Sequence, residues 1–314
     1  MPFTMVRSTW AATKTASAAA IHGTRRHSAA SPSTPASVTG CHENNPWNPE
    51  MVSGGSSGGS GSAASAGQCT ITMGSDTGGS VRIPAALCGI VGLKPTYGLV
   101  SRHGLTPLSW SLDHPGPLVR TVEDAAITLN AIAGYDPKDI ASCRSEIPDY
   151  TAALTRDVKG LRIGVPKEYL EAPLDTEVAQ AVQDALSTLA DLGAIISQIS
   201  FPSFEQSQAI SGTILMAEAA AYHRDLLAKD GDKLNPPVRL RLEGGLFISA
   251  ADYLRAQQGR MHFNRETKRL LEQVDLLAGP TEPVTAPKIL APQVQAGDQT
   301  IGTTAALTQY TRPY

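Results

Sequence analysis

Cysteine is scarce in this 314-residue chain and never paired: Cys41, Cys69, Cys88 and Cys143 stand at irregular spacing. That excludes a zinc ribbon or a small disulfide scaffold and points to reduced thiols in a core. Strong charge of one sign is also missing. With 26 Lys+Arg against 29 Asp+Glu the formal net charge is −3, which gives no support for direct nucleic-acid contact. No run approaches the roughly 18 apolar residues of a membrane span. The N-terminus lacks the apolar stretch of a secretory signal, so no membrane partner and a cytoplasmic setting are expected. The seven histidines are scattered without ligand spacing, so no metal and no cofactor are expected. His114, in a Leu-Asp-His-Pro turn, reads as a packed loop residue. There is no internal repeat, and no Asp or Glu precedes Glu43.

What is present is apolar content of 41%, enough at this length to bury a large core as one domain. Two glycine-serine clusters stand out, Gly54-Gly55-Ser56-Ser57-Gly58-Gly59-Ser60 and Gly74-Ser75-Asp76-Thr77-Gly78-Gly79-Ser80. Gly/Ser-rich segments are ordinarily flexible connectors. A connector has no reason to pass into the β-branched run Cys69-Thr70-Ile71-Thr72-Met73 and then into a second Gly-Gly-Ser leading to Val81 and Ile83. Glycines let backbone N–H groups converge on an oxygen, and serines offer a nucleophile or a proton carrier.

These clusters, with Asp76 to Ala85, Cys88 to Thr96, Tyr97 to Ser101, Pro107 to His114 and Gly116 to Ala126, closely resemble the signature region of the amidase signature family. The likeness runs from about Asn45 to the last residue. It implies amide-bond hydrolysis to a carboxylate and ammonia or an amine, on a small-molecule amide, by a Ser-Ser-Lys triad. Ser80 matches the nucleophile, and Ser56 the relay serine that follows a cis peptide bond. The backbone N–H groups of Thr77, Gly78, Gly79 and Ser80 match the oxyanion hole, where donors aimed at developing charge give the largest catalytic contribution. The two serines are expected to meet in the fold. Asp76 and Arg82 are open between a structural ion pair and contact with substrate.

The third member should be a lysine general base with a lowered pKa. Its family position upstream of Ser56 would fall before Met1. Lys14 has neither the spacing nor the strand context, and Lys94, within the signature, reads as structural. Residues 1–44 are rich in Ala, Ser and Thr. They are open to three readings: a targeting peptide, a disordered tail, or unrelated or misread sequence in place of the authentic strand. The third is favoured, because a transit peptide would precede the lysine strand rather than replace it. The closing run Leu307 to Tyr314 looks like an internal helix cut short. Residues 45–314 are therefore expected to form a partial amidase signature domain, and the chain as it stands to hydrolyse amides poorly; an inactive fragment lacking the catalytic lysine is the non-enzyme alternative.

Periodicity predicts an α/β fold. Thr121 can cap a helix through Ala133 that presents Ala125, Ala126 and Leu129 on one face. Leu161–Pro166 reads as a buried strand, Thr176–Leu192 as a helix and Ala194–Ile199 as a strand, a parallel crossover. The stretch from Ile210 to Asp275 is mostly helical and leads into a strand near Leu276–Gly279. The resemblance implies a mixed central sheet covered by helices on both faces.

The family includes general amidases and the A subunit of glutamyl-tRNA amidotransferase, which hydrolyses glutamine and works with partner subunits. Pro107 to His114 looks more like the general amidases. Arg260 lies where the transferase subunit carries an arginine for the glutamine carboxylate, a task suited to its planar fork. On a long polar helix the same residue also reads as a solvated surface arginine.

Overall fold

The computed structural model of the chain describes residues 3–7, 44–155 and 157–314. After β1 (Phe3–Arg7), β2 (Asn44–Asn45) and β3 (Asn48–Val52) form a short antiparallel hairpin. The first glycine-serine cluster then runs into a helix, α1 (Gly58–Ser65). Glycine is a poor helix former and serine a middling one, so packing rather than propensity holds α1. A β-carbon on Gly61 would lie 2.9 Å from Pro84 Cβ, and Ala64 is fully buried with Val81, Ala85 and Cys88. β4 (Ile71–Asp76), α2 (Arg82–Cys88), β5 (Val91–Gly92) and β6 (His114–Val119) follow, with the strands in an antiparallel sheet ordered β4-β6-β5. α3 (Val122–Ile132) is capped as its sequence predicts, Thr121 accepting from the Asp124 N–H at 3.0 Å. It buries Ala125, Ala126 and Leu129 against Val91, Leu93 and Val119.

The second half holds β7 (Arg162–Pro166), α4 (Lys167–Glu171), α5 (Thr176–Asp191), β8 (Ile195–Ile199), α6 (Ser207–Tyr222), α7 (Arg224–Asp230), α8 (Pro236–Gly245), α9 (Ala250–Gln273) and β9 (Leu276–Pro280). β7 runs parallel to both β8 and β9, and β1 adds antiparallel to β9, giving a mixed sheet ordered β1-β9-β7-β8. Strand alternation sends Leu276 and Ala278 to one face, against Val178, Val182, Leu186 and Leu189 of α5. Leu277 goes to the other face, with Phe263 and Leu270 of α9 and Phe201. Each such side chain contributes about 1.5–3 kcal/mol on full burial. Helices thus cover both faces of the sheet, and the fold is α/β. A hairpin, β10 (Gln293–Ala296) and β11 (Gln299–Gly302), and a short α10 (Thr303–Ala306) lead to the last residues.

Three features differ from the sequence reading. Residues 3–7 fall in the segment for which a disordered tail was one of three readings, yet form β1, filling the N–H and C=O row that β9 would otherwise leave open. The rest of that segment, Lys14 included, lies outside the described residues. Leu307–Tyr314 is not a helix but a string of turns pinned from the side: Tyr310, 1% exposed, donates to the Tyr169 carbonyl at 3.0 Å. Of the described cysteines, Cys88 is buried in the core, whereas Cys69 and Cys143 are exposed, one at the entry to β4 and the other in a loop.

Beyond β9 the chain buries Glu282, 1% exposed, with neither carboxylate oxygen meeting a partner among the described residues. Burial pushes its carboxyl well above the usual range. The unfolded carboxyl ionises near pH 4.5 while the folded one holds its proton, so stability is lost as pH rises from there toward the folded pKa. Glu282→Gln should therefore raise the melting temperature near neutral pH by about 2–6 °C, an advantage that fades as pH falls toward that of the free carboxyl. A variant that melts with the unaltered chain at every pH would contradict this.

Candidate active site

The two glycine-serine clusters, with Ser56 and Ser80 24 residues apart, come together in the fold. The Ser57 N–H donates to the Ser80 carbonyl at 3.2 Å, and the Ser57 hydroxyl and the Ser75 backbone are linked at 3.3 Å. Close approach explains the glycines here. A β-carbon on Gly74 would lie 2.6 Å from Ser57 Oγ, and one on Gly54, at φ +85°, 2.9 Å from the Pro84 backbone. The Gly55–Ser56 peptide is cis, as the resemblance implies. Ser56 is exposed and Ser80 half-buried.

Asp76 organises the loop between β4 and α2. Its fully buried carboxylate accepts from the N–H groups of Gly79 at 2.7 Å, Val81 at 3.2 Å and Arg82 at 3.4 Å. It also receives the Arg82 fork, Nε at 2.9 Å and Nη2 at 2.8 Å. Although burial alone would raise the Asp76 pKa, the Arg82 charge and hydrogen bonds hold the carboxyl well below the usual range. The Asp76–Arg82 pair is thus built into the structure of the loop. Arg82 Nη1 donates onward to the Thr311 carbonyl at 2.7 Å, and the Thr311 hydroxyl to the Gly78 carbonyl at 2.8 Å. Gly79, at φ +131°, is fixed by that contact, because a β-carbon would fall 2.4 Å from Thr311 Oγ1. Of the loop's N–H groups, that of Gly79 is committed to Asp76. Thr77 donates its hydroxyl to Asp113 at 2.6 Å, and Asp113 is itself held by the N–H groups of Leu108 and Ser109.

Beside Thr77 opens a cavity of about 160 Å³ between the signature loop, α6, α9 and the last residues of the chain. Lys94 and His114 lie on its wall. Burial, reinforced by the like charge of Arg82 and opposed by Asp76, lowers the Lys94 pKa to about 8. Lys94, read as structural from sequence, thus also faces the cavity. Burial and then Lys94 lower the His114 pKa to about 3, so its ring is neutral. His114 Nδ1 lies 2.6 Å from the Leu112 carbonyl and, in a neutral ring, is the donor.

Arg260 is not on the surface face of its helix. It reaches inward, lines the cavity and forks onto Ser111, with Nη1 3.2 Å from Oγ and Nη2 3.0 Å from the carbonyl. Ser111 is positioned by Glu218, a carboxylate 1% exposed that also accepts from Ser109 Oγ at 2.5 Å and Tyr253 OH at 2.9 Å. Glu218 was missed by sequence reasoning, though a lone acid in the apolar run Leu215-Met216-Ala217-Glu218-Ala219-Ala220 was a readable signal.

Among the described residues, no helix is long and apolar enough to cross a membrane. A family model described as Amidase matches residues 19–313. The chain is 46% identical over 265 residues to the A subunit of the glutamyl-tRNA(Gln) amidotransferase of Roseiflexus sp. (strain RS-1), covering 77% of this chain and 54% of that protein. It spans about half the length of the curated relatives it matches. A solved structure described as a vestigial protein complex bearing on the origins of an s-triazine catabolic enzyme aligns with TM-score 0.82 and 34% identity, covering 87% of this chain and 59% of that one. The A subunit of the Thermotoga maritima glutamyl-tRNA(Gln) amidotransferase aligns with TM-score 0.73 and 38% identity, covering 86% and 58%. On the joined serine clusters and these likenesses together, the chain belongs to the amidase family.

Proposed function

We propose that the chain carries the core of a cytoplasmic serine amide hydrolase. The observation that carries this reading is the seating of the first cluster on the second, Ser57 N–H against the Ser80 carbonyl at 3.2 Å, beside a loop pinned by Asp76. Ser80 Oγ attacks the amide carbonyl while its proton leaves through the Ser56 hydroxyl toward a base, a role that the family gives to a lysine. The carbonyl oxygen becomes an oxyanion facing the N–H groups of the Thr77–Ser80 loop. As the tetrahedral intermediate collapses, the leaving nitrogen takes up a proton and departs as ammonia or an amine. Water then adds to the Ser80 ester by the reverse relay and releases the carboxylate. Gly79 contributes backbone shape more than a free donor, because its N–H is already bound.

Acylation by an activated aryl ester tests the nucleophile directly, since its good leaving group lessens the need for a base. Treatment with p-nitrophenyl acetate, followed by mass mapping, should place the acetyl group on the Ser80 peptide. Ser80→Ala should abolish the adduct and Ser56→Ala should slow its formation. An adduct on another residue of the native fold would overturn the assignment.

A second reading, the glutamine-hydrolysing component of an amidotransferase that works beside partner subunits, is favoured by one observation: Arg260 turns into the cavity rather than to solvent.

A further inference from the structure

Lys94 is held firmly by the fold, and its amine is left without a partner. It follows β5, where the Leu93 N–H donates to the Pro117 carbonyl at 3.0 Å, and Pro95 comes next. Both neighbours press on β6: a β-carbon on Gly116 would lie 2.0 Å from the Leu93 carbonyl oxygen and 3.3 Å from Pro95 Cδ. The side chain lines the cavity beside Thr77. Among the described residues its amine makes no hydrogen bond and no ion pair, since Asp76, the carboxylate whose charge reaches it, is taken up by Arg82.

The groups around the amine set its chemistry. Arg82 opposes a charge on it, Asp76 favours one, and His114 is neutral. Of the other titratable groups on the wall, Arg260 is forked onto Ser111, Arg312 Nη1 donates to the Gln208 carbonyl, and burial keeps the proton on Tyr314. With a pKa of about 8, Lys94 is a neutral amine in about one molecule in ten at pH 7, against roughly one in 3,000 for a solvated lysine. A lysine desolvated beside another cation is a nucleophile toward carbonyl carbon. His114 uses its Nδ1–H on the Leu112 carbonyl, so its Nε2 keeps a lone pair.

We propose that Lys94 is a carbonyl-capture site, at which its amine condenses reversibly with a small aliphatic aldehyde to form an imine inside the cavity. The nitrogen adds to the aldehyde carbon, the two amine protons pass to the carbonyl oxygen, and that oxygen leaves as water as the C=N bond closes. No oxidant or reductant takes part. The Nε2 lone pair of His114 is an acceptor for the N–H of the intermediate carbinolamine. Size and lining define the ligand. The cavity of about 160 Å³ is close to one of about 150 Å³ that takes a benzene, about six non-hydrogen atoms, and Leu112, Ile210, Ile214 and Phe263 give a short alkyl chain an apolar bed. The site is separate from Ser80 and does not rest on the hydrolase reading.

The test is reductive trapping. The folded chain is held at pH 7 with butanal and cyanoborohydride, which reduces an imine to a stable amine and leaves a hemiacetal on serine unreduced, and the lysine peptides are followed by mass. The Lys94 peptide should be alkylated about tenfold or more faster than that of any other lysine, because its larger share of neutral amine outweighs the lower nucleophilicity of a weaker base. Unfolding in urea should remove that advantage, and so should replacing butanal by naphthaldehyde, which is too large for the cavity. Lys94→Met should abolish the fast reaction and leave slow labelling elsewhere. The site is overturned if Lys94 reacts no faster than exposed lysines such as Lys159 and Lys229, if the fast adduct maps to another lysine, or if the advantage persists in urea. The comparison among lysines is made within the unaltered chain, so it stands whether or not the variant folds.

Discussion

Replacing Asp76 by alanine should cost the chain about 3–5 kcal/mol, because it strands the Arg82 guanidinium as an unpaired charge in the interior. Arg82 and Asp76 are 5% and 0% exposed, so water cannot take over the pairing. The same substitution frees the N–H groups of Gly79 and Val81 from their common acceptor, and the loop that carries Ser80 loses its shape. Ser80 acylation should fall by about 10² or more, the size of effect seen when one oxyanion donor is lost. Denaturant unfolding with the aryl-ester assay reads both quantities. The double variant Asp76→Ala with Arg82→Met should recover part of the stability, since it removes the stranded charge, but none of the acylation. A stability loss below about 1 kcal/mol in Asp76→Ala, the range of a surface pair, would mean that this ion pair does not organise the loop.

Acidification should weaken the fold through His114. Its pKa falls from 6.5 in the free side chain to about 3 in the folded chain, because burial and Lys94 oppose the charged ring. The unfolded state therefore binds a proton that the folded state refuses. The stabilising contribution is complete above pH 6.5 and is lost as pH falls through the folded pKa near 3, amounting to a few kcal/mol. Glu282 works in the opposite sense over part of this range, since it gains stability as pH falls toward 4.5. The contribution of His114 is accordingly read as a difference: stability against pH for the unaltered chain minus that for His114→Asn. That difference should slope between about pH 6.5 and 3 and be flat above. A flat difference throughout would show that the imidazole does not titrate on unfolding.

How much was legible in advance depends on the range of the interaction involved. The Thr121 cap, the β7-α5-β8 crossover and α9 were readable because capping and periodicity act over a few residues. The serine clusters were readable because glycine at close-packed turns is a chemical requirement visible in the sequence. α1 was not readable: Gly58–Ser65 has the composition of a linker and becomes a helix through contact with Pro84 and Cys88. The inward turn of Arg260 depends on Ser111, which depends on Glu218 from a third segment, a chain of contacts that no local pattern encodes. Arg312, in the closing turns, had no periodicity to mark it. It shows only in the fold, where its Nη1 reaches the Gln208 carbonyl at 3.2 Å.

The bond from Arg82 to the Thr311 carbonyl joins residues 229 positions apart. On a ribosome adding about 5–20 residues per second, the loop bearing Ser80 waits roughly 10–45 s before its far support is even synthesised. Chain entropy opposes such a distant closure until the intervening segments have packed and shortened the effective loop. The signature loop is thus one of the last parts of the molecule to be secured, although its residues emerge early, and a nascent chain stopped before Thr311 would hold Ser80 on an unbraced turn.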